Sequence, residues 1–290
     1  MLSNMTHMML IESTDFSECW EKILKCIVMY GDNVEFGDID EIKRMREVHG
    51  TVRLYGTHAI SQVLNLDVHP SWQLKGQALQ DHVNDYLVSE EELIEQVDPV
   101  NGFEYTYQNF MRRYGIGKDY GCGMYEQHID QLSLVKDALL EEQKHPTLSS
   151  NRHFIFVNHY SMMNKTSPAC LQMIFVRRIT GNKYSVRYVF RSQDAAQAWM
   201  SNTCALTTCM NEFVFKPSNT VIEEIIYDSL SLHVYANDKD LVESVTGIDW
   251  DTRKPKNKTS RTTIHSIHQS ALNKTLDKIS ERCEEMKKYV

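Results

Sequence analysis

The chain has 290 residues, 42% hydrophobic and 24% charged, enough to bury a core without disulfide or metal staples. Its formal net charge of −8 at pH 7 argues against a protein whose main task is gripping nucleic acid through phosphates, so direct nucleic-acid binding is not expected. A few arginines can still build a local pocket for a small anion. The seven cysteines, Cys19, Cys26, Cys122, Cys170, Cys204, Cys209 and Cys283, are odd in number and form no CxxC pair. A zinc ribbon and a thioredoxin-type motif are thereby excluded, no metal is expected, and reduced thiols fit a cytoplasmic protein. The start MLSNMTHMML lacks the basic and apolar regions of a signal peptide, and no apolar run reaches the length of a membrane span.

In chain order, DFSECWEKILKCIVMYG (15–31) reads as a capped amphipathic helix ending at Gly31. GTVRLYG (50–56) reads as a short strand between glycines, and residues 70–95 are polar with helical character. HIDQLSLVKDALLEEQ (128–143) predicts a helix with Ile129, Leu132, Val135 and Leu139 on one face. The centre is the most β-like region: HFIFVNHY (153–160) is a strand, and LQMIFVRRI and YSVRYVFR flank the hairpin turn TGNK (180–183). A long helix is expected over 194–213, then a short helix and a strand within 222–236. TRKPKNKTSRTT (252–263) reads as a basic linker or solvated loop, and 264–288 as a surface or interface helix. The pattern predicts an α+β fold, a mainly antiparallel or mixed β-sheet with packed helices. No domain break precedes residue 250, so one domain is expected over 1–250, with the linker and helix over 251–290.

The chemistry gathers around SPACLQMIF (167–175). Taken alone, Cys170 reads as a buried, inert filler. Its neighbours change that reading. The hairpin after Cys170 leads into YVFRSQDAAQAWMSN, which brings Arg191, Ser192, Asp194 and Asn202 to one strand-to-helix junction. Arg191 and Ser192 form a plausible phosphate pair, a forked cation beside a hydroxyl. Asp194 stands where a helix N-cap falls. The Asn202 amide both donates and accepts, as reading a pyrimidine edge requires, although it also fits a helix surface. In SLHVY, His233 and Tyr235 share one face of a strand, within reach of a sugar hydroxyl.

In this order and spacing the segments resemble the thymidylate synthase superfamily, which includes the dUMP and dCMP hydroxymethylases of phages. Its members carry a Pro-Cys nucleophile opening a hairpin, then Arg-Ser-x-Asp, then Asn or Asp eight residues on, then His-x-Tyr. Here these are Cys170, Arg191-Ser192-Gln193-Asp194, Asn202 and His233-Val234-Tyr235. REVHGTVRLYG resembles the family's arginine four residues before a Gly-Thr strand, with Arg46 as a substrate ligand. GFEY resembles a family segment with a catalytic tyrosine, here Tyr105. Arg152 resembles the arginine that a partner subunit lends to the phosphate, with His153 as a helper. The resemblance covers about residues 40–240.

The sequence also departs from the family. Pro-Cys-His is Pro168-Ala169-Cys170-Leu171, and a paired Arg-Arg is Asn151-Arg152. The Glu-Leu-Leu-Trp segment has no clean counterpart; Gln77, Gln80 and Asp81 are weak stand-ins. The Asp before His-x-Tyr is Ser231, as in a phage dCMP hydroxymethylase, and the apolar tail that closes over folate is absent.

The resemblance implies a thymidylate synthase-like fold in a sheet-to-sheet homodimer. It also implies a pyrimidine nucleotide, 5,10-methylenetetrahydrofolate as co-substrate and covalent catalysis by Cys170 at carbon 6. Catalytic roles fall to Cys170, Tyr105 and Asp194, with Asp194 also meeting the folate. Substrate contacts fall to Arg46, Arg152, Arg191, Ser192, Asn202, His233 and Tyr235. Asn202 in place of Asp points to uracil. Hydride transfer needs a closed, dry site, and the missing tryptophan and tail point instead to water. The expected activity is dUMP hydroxymethylation in a phage DNA-modification setting, in a host cytoplasm. Thymidylate synthesis and a catalytically inactive nucleotide-binding relative are the alternatives.

Overall fold

In the computed structural model, Asp15 accepts the Glu18 N–H at 2.7 Å and starts helix α1 (Phe16–Tyr30), which ends at Gly31 as its sequence predicts. The structure describes residues 8–37, 43–96, 106–119, 125–145, 153–159 and 168–256. Strand β1 (Met8–Ser13) precedes α1, and β2 (Asp32–Phe36) and β3 (Lys43–Tyr55) follow. Helices α2 (Thr57–Leu64), α3 (Gln77–Asn84), α4 (Glu90–Gln96) and α5 (Tyr107–Arg112) come next. A small hairpin, β4 (Tyr114–Asp119) and β5 (Tyr125–Ile129), leads to α6 (Gln131–Gln143). Strands β6 (His153–Phe156), β7 (Leu171–Thr180), β8 (Lys183–Phe190) and β9 (Gln193–Asp194) precede α7 (Trp199–Met210). The chain continues through a π turn (Asn211–Phe215) into β10 (Val221–Tyr235), then a 3₁₀ turn (Ala236–Asp238) and α8 (Lys239–Thr246).

The fold is α+β, with one eight-stranded mixed sheet in the order β1-β3-β10-β8-β7-β6, β2 extending β3 and β9 extending β10. β10 lies at its centre, antiparallel to β3 and parallel to β8. Alternation fixes its core face: Val48, Val52 and Leu54 of β3, Tyr184, Val186, Tyr188 and Phe190 of β8, and Ile155 of β6 are buried. They belong to one apolar cluster with Phe16, Trp20, Ile23 and Ile27 of α1 and Trp199 and Leu206 of α7. No helix among the described residues is long and apolar enough to cross a membrane.

The structure corrects several expectations about elements: α6 begins at Gln131 and leaves Ile129 in β5, and the strand expected over 153–160 ends at Phe156 among the described residues. GTVRLYG is the second half of the 13-residue β3. The region expected to mix a short helix and a strand is one 15-residue strand, Val221–Tyr235, because it pairs with β3 on one side and β8 on the other. Helix α7 begins only at Trp199, because Gln193 and Asp194 are first drawn onto β10 as a strand. The basic segment from 257 onward and the helix expected over 264–288 lie outside the described residues.

One irregularity in β10 sets the geometry of the site. Ser229 faces Gly50 and Leu232 faces Val48, so β10 advances three residues while β3 advances two. This extra residue is a β-bulge, and it moves every later side chain to the opposite face. Leu232 and Val234 turn into the core, and His233 and Tyr235 face away from α1. On the other side, β8 leaves β10 at Phe190 opposite Ser229, and β9 rejoins it with Gln193 opposite Leu232 and Asp194 opposite His233. Arg191 and Ser192 are left between the two ladders.

Trp20 ties α1 to this region: its buried Nε1 donates to the Ala195 carbonyl at 2.7 Å, and its ring meets Trp72 edge-on at 5.2 Å. Trp20→Phe keeps much of the apolar contact but strands a buried carbonyl. Urea unfolding should show a loss of about 1–3 kcal/mol for this variant.

Candidate active site

The hairpin of β7 and β8 turns on Gly181, at φ +54, and brings its two open ends together. There the Arg191 N–H donates to the Cys170 carbonyl at 2.9 Å. The Arg191 guanidinium folds back along the segment before Cys170, with Nε donating to Ala169 O at 3.1 Å and Nη2 to Pro168 O at 2.6 Å. Its Nη1 makes no hydrogen bond among the described residues. Cys170 is half-buried, and the Tyr107 hydroxyl hydrogen-bonds its thiol. Burial pushes the thiol pKa up, opposed by the Arg191 charge and the Tyr107 hydrogen bond.

Asp194 is held by its own turn, Oδ1 accepting the N–H groups of Ala196 at 2.9 Å and Gln197 at 3.0 Å. It caps this turn and not α7 itself, whose N-cap is Ala198. Burial raises its pKa; the Gln197 and Ala196 hydrogen bonds and the nearby His233 act the other way. His233 is 2% exposed, and burial lowers its pKa despite the Asp194 and Glu47 carboxylates. Its ring meets that of Tyr235 at 4.8 Å, and Tyr235 in turn meets Phe36 at 5.7 Å. The phenol of Tyr235 is raised chiefly by burial, then by Asp194 and Cys170, with Arg191 opposing. Cys170, Arg191, Asp194, His233 and Tyr235 thus form one electrostatic cluster. Beside Tyr235 and Asp238 opens a cleft of about 840 Å³, walled by Phe36, Lys43 and Arg44.

Of the other expected residues, Arg46 stands on the opposite face of the sheet. Arg46 pairs with Val234 and shares its face, toward α1, opposite His233. Its Nε donates to Asn33 Oδ1 at 2.8 Å, its Nη1 bonds the Val28 and Trp250 carbonyls, and its guanidinium lies 4.4 Å from the Trp250 ring centre. Strand alternation has made it a buried clamp on the end of α1. Ser192 and Asn202 are half-buried, and neither side chain has a hydrogen-bond partner among the described residues. Gln77 and Asp81 bond each other on exposed α3, as do Gln80 and Asn84. His153 is buried against Glu142 at 3.2 Å. Tyr105 and Arg152 lie outside the described residues.

Two residues at the site were not singled out in the sequence. Tyr107 stands two residues after Tyr105; Thr106 caps α5 and so places Tyr107 at its first position, against Cys170. Glu47 is brought beside His233 by the β3–β10 register. The first had a legible cue in a capping threonine. The second had none, because a pairing across the whole chain sets it.

No family model matches the chain, and no curated protein matches it.

Because burial raises the Cys170 thiol pKa, its thiolate is scarce at neutral pH and grows as pH rises above the ordinary thiol range. Alkylation by iodoacetamide, mapped to Cys170, should therefore be slow at pH 7 and climb with pH. Arg191→Met and Tyr107→Phe should each slow it further, since each removes a group that favours the thiolate.

Proposed function

We propose that the protein is a one-carbon transferase acting at carbon 5 of a pyrimidine deoxynucleotide, with dUMP hydroxymethylation as its reaction. The fold in this reading is thymidylate synthase-like. The observation that carries the reading is the convergence of Cys170, Arg191, Asp194, His233 and Tyr235, drawn from three separate stretches of chain, on one partly buried cluster. An inert core cysteine has no need of an arginine and a tyrosine hydroxyl around it.

The chemistry follows from the residues. Thiolate addition forms an S–C6 bond while the C5–C6 π pair moves toward O4, which makes carbon 5 nucleophilic. Arg191 favours the thiolate, and its free Nη1 with the Ser192 hydroxyl suits a phosphate. The uncommitted Asn202 amide suits the uracil edge, accepting from N3–H and donating to O4. His233 and Tyr235 suit the sugar. The folate would supply the one-carbon unit. Asp194 fits it, because Oδ2 makes no hydrogen bond among the described residues while Oδ1 holds the turn.

A homodimer in this reading joins sheet to sheet. The face turned away from the helices carries Phe154 and Phe156, 41% and 42% exposed, and Leu230 at 65%. Several of its charges are already neutralised in place, Arg53 with Glu224 and Glu12, and Arg187 with Asp228, which lowers the cost of covering them. The same face bears His233, so a second copy seated there lies near the site. Sedimentation at micromolar concentration should give a dimer, and Phe156→Glu should shift it toward monomer.

The raised Cys170 thiol favours a second reading, a nucleotide-binding relative without catalysis. Intact mass after incubation with 5-fluoro-dUMP and methylenetetrahydrofolate separates the two. A folate-dependent adduct that maps to Cys170 and disappears in Cys170→Ser supports the enzyme. Saturable dUMP binding without any adduct supports the relative. In the enzyme, Asn202→Asp should move preference from dUMP toward dCMP by roughly tenfold or more.

A further inference from the structure

The bulge in β10 sets Ser231 between a carboxylate and an imidazole. Its hydroxyl donates to the Glu47 carboxylate of β3 and lies 3.3 Å from His233 Nδ1. The Ser231 carbonyl is also 3.3 Å from that nitrogen. A hydroxyl whose proton points at a carboxylate offers only lone pairs to its other neighbour, and a carbonyl offers only lone pairs. Nδ1 therefore faces two acceptors and must carry the proton of the neutral ring. Nε2 is then a bare acceptor, and it is buried with no partner among the described residues. Among the described residues, the charged and titratable groups facing the ring are Glu47 from β3, Asp194 from β9 and Tyr235 from β10 itself.

We infer that Glu47, acting through Ser231, is a positioning residue that fixes His233 as its Nδ1–H tautomer and so presents Nε2 to a hydroxyl of the ligand. The tautomer half of this inference stands on the free protein. The ligand half rests on the nucleotide reading above, where the hydroxyl belongs to the sugar. Glu47 also supplies the ring with a carboxylate at one remove, across the sheet and not along its own strand. A carboxylate nearby favours the imidazolium, so its removal must lower the titration midpoint of His233.

Ring ¹⁵N NMR on the full-length protein tests this, with His233→Gln assigning the signals. The expected result is a protonated Nδ1 and an unprotonated Nε2 at neutral pH. Glu47→Gln should lower the midpoint while the other histidine signals stay in place. Ser231→Asp in the Glu47→Gln background, which sets a carboxylate directly beside Nδ1, should raise it again and keep the Nδ1–H form. An Nε2–H tautomer in the unaltered protein overturns the proposal, as does a midpoint unmoved by Glu47→Gln. Added dUMP should shift the Nε2 signal, and dUMP lacking its 3′-hydroxyl should not. If the tautomer is as expected but dUMP leaves Nε2 unmoved, the relay stands and the nucleotide reading falls.

Discussion

The candidate site depends on one extra residue in the central strand. β10 is hydrogen-bonded on both sides, so along each regular stretch its side chains alternate between the helix-covered core and the open face. Without the bulge after Ser229, His233 and Tyr235 would enter the apolar core beside Tyr227, and Leu232 and Val234 would face outward. The bulge exchanges them, and it also lets β8 let go and β9 rejoin, which frees Arg191 and Ser192 from the ladder. Catalytic-type residues from distant stretches meet because a central strand tolerates this irregularity where the chain beside it also breaks.

Burial then sets the protonation of what has been gathered. Cys170, Asp194 and Tyr235 have their pKa values pushed up and His233 has its pushed down, in each case chiefly by removal from water. All four effects favour the neutral forms. The Arg191 cation is the main counterweight, and it sits next to the sulfur whose ionisation the proposed reaction needs. A cluster poised in this way has groups whose charge a bound anion or a polar ligand can alter.

Much of this was legible in the sequence, for identifiable reasons. The α1 cap at Asp15, the Gly181 hairpin and the buried stripe Leu132, Val135 and Leu139 of α6 are local patterns that formed as read, although Ile129, expected on the same helix face, ends strand β5 instead. The grouping of Cys170 with Arg191 followed from the hairpin between them, since a tight turn forces its ends together. The fate of Arg46 was not legible, because the same spacing suits a substrate ligand and a buried clamp, and only strand parity against Val234 separates them. Nor was the unbroken length of β10, whose apolar and polar residues mimic a helix until two neighbouring strands claim them.

The sequence by itself determined the class of fold and the residue types of the cluster, because both rest on periodicity, turn chemistry and spacing along the chain. Only the tertiary structure decided which face His233 shows, that Glu47 stands behind it, and that Tyr107 meets the sulfur of Cys170. Those facts depend on strand register and on contacts between distant stretches, and a register shift of one residue, invisible in the local sequence, reverses every one of the strand faces involved.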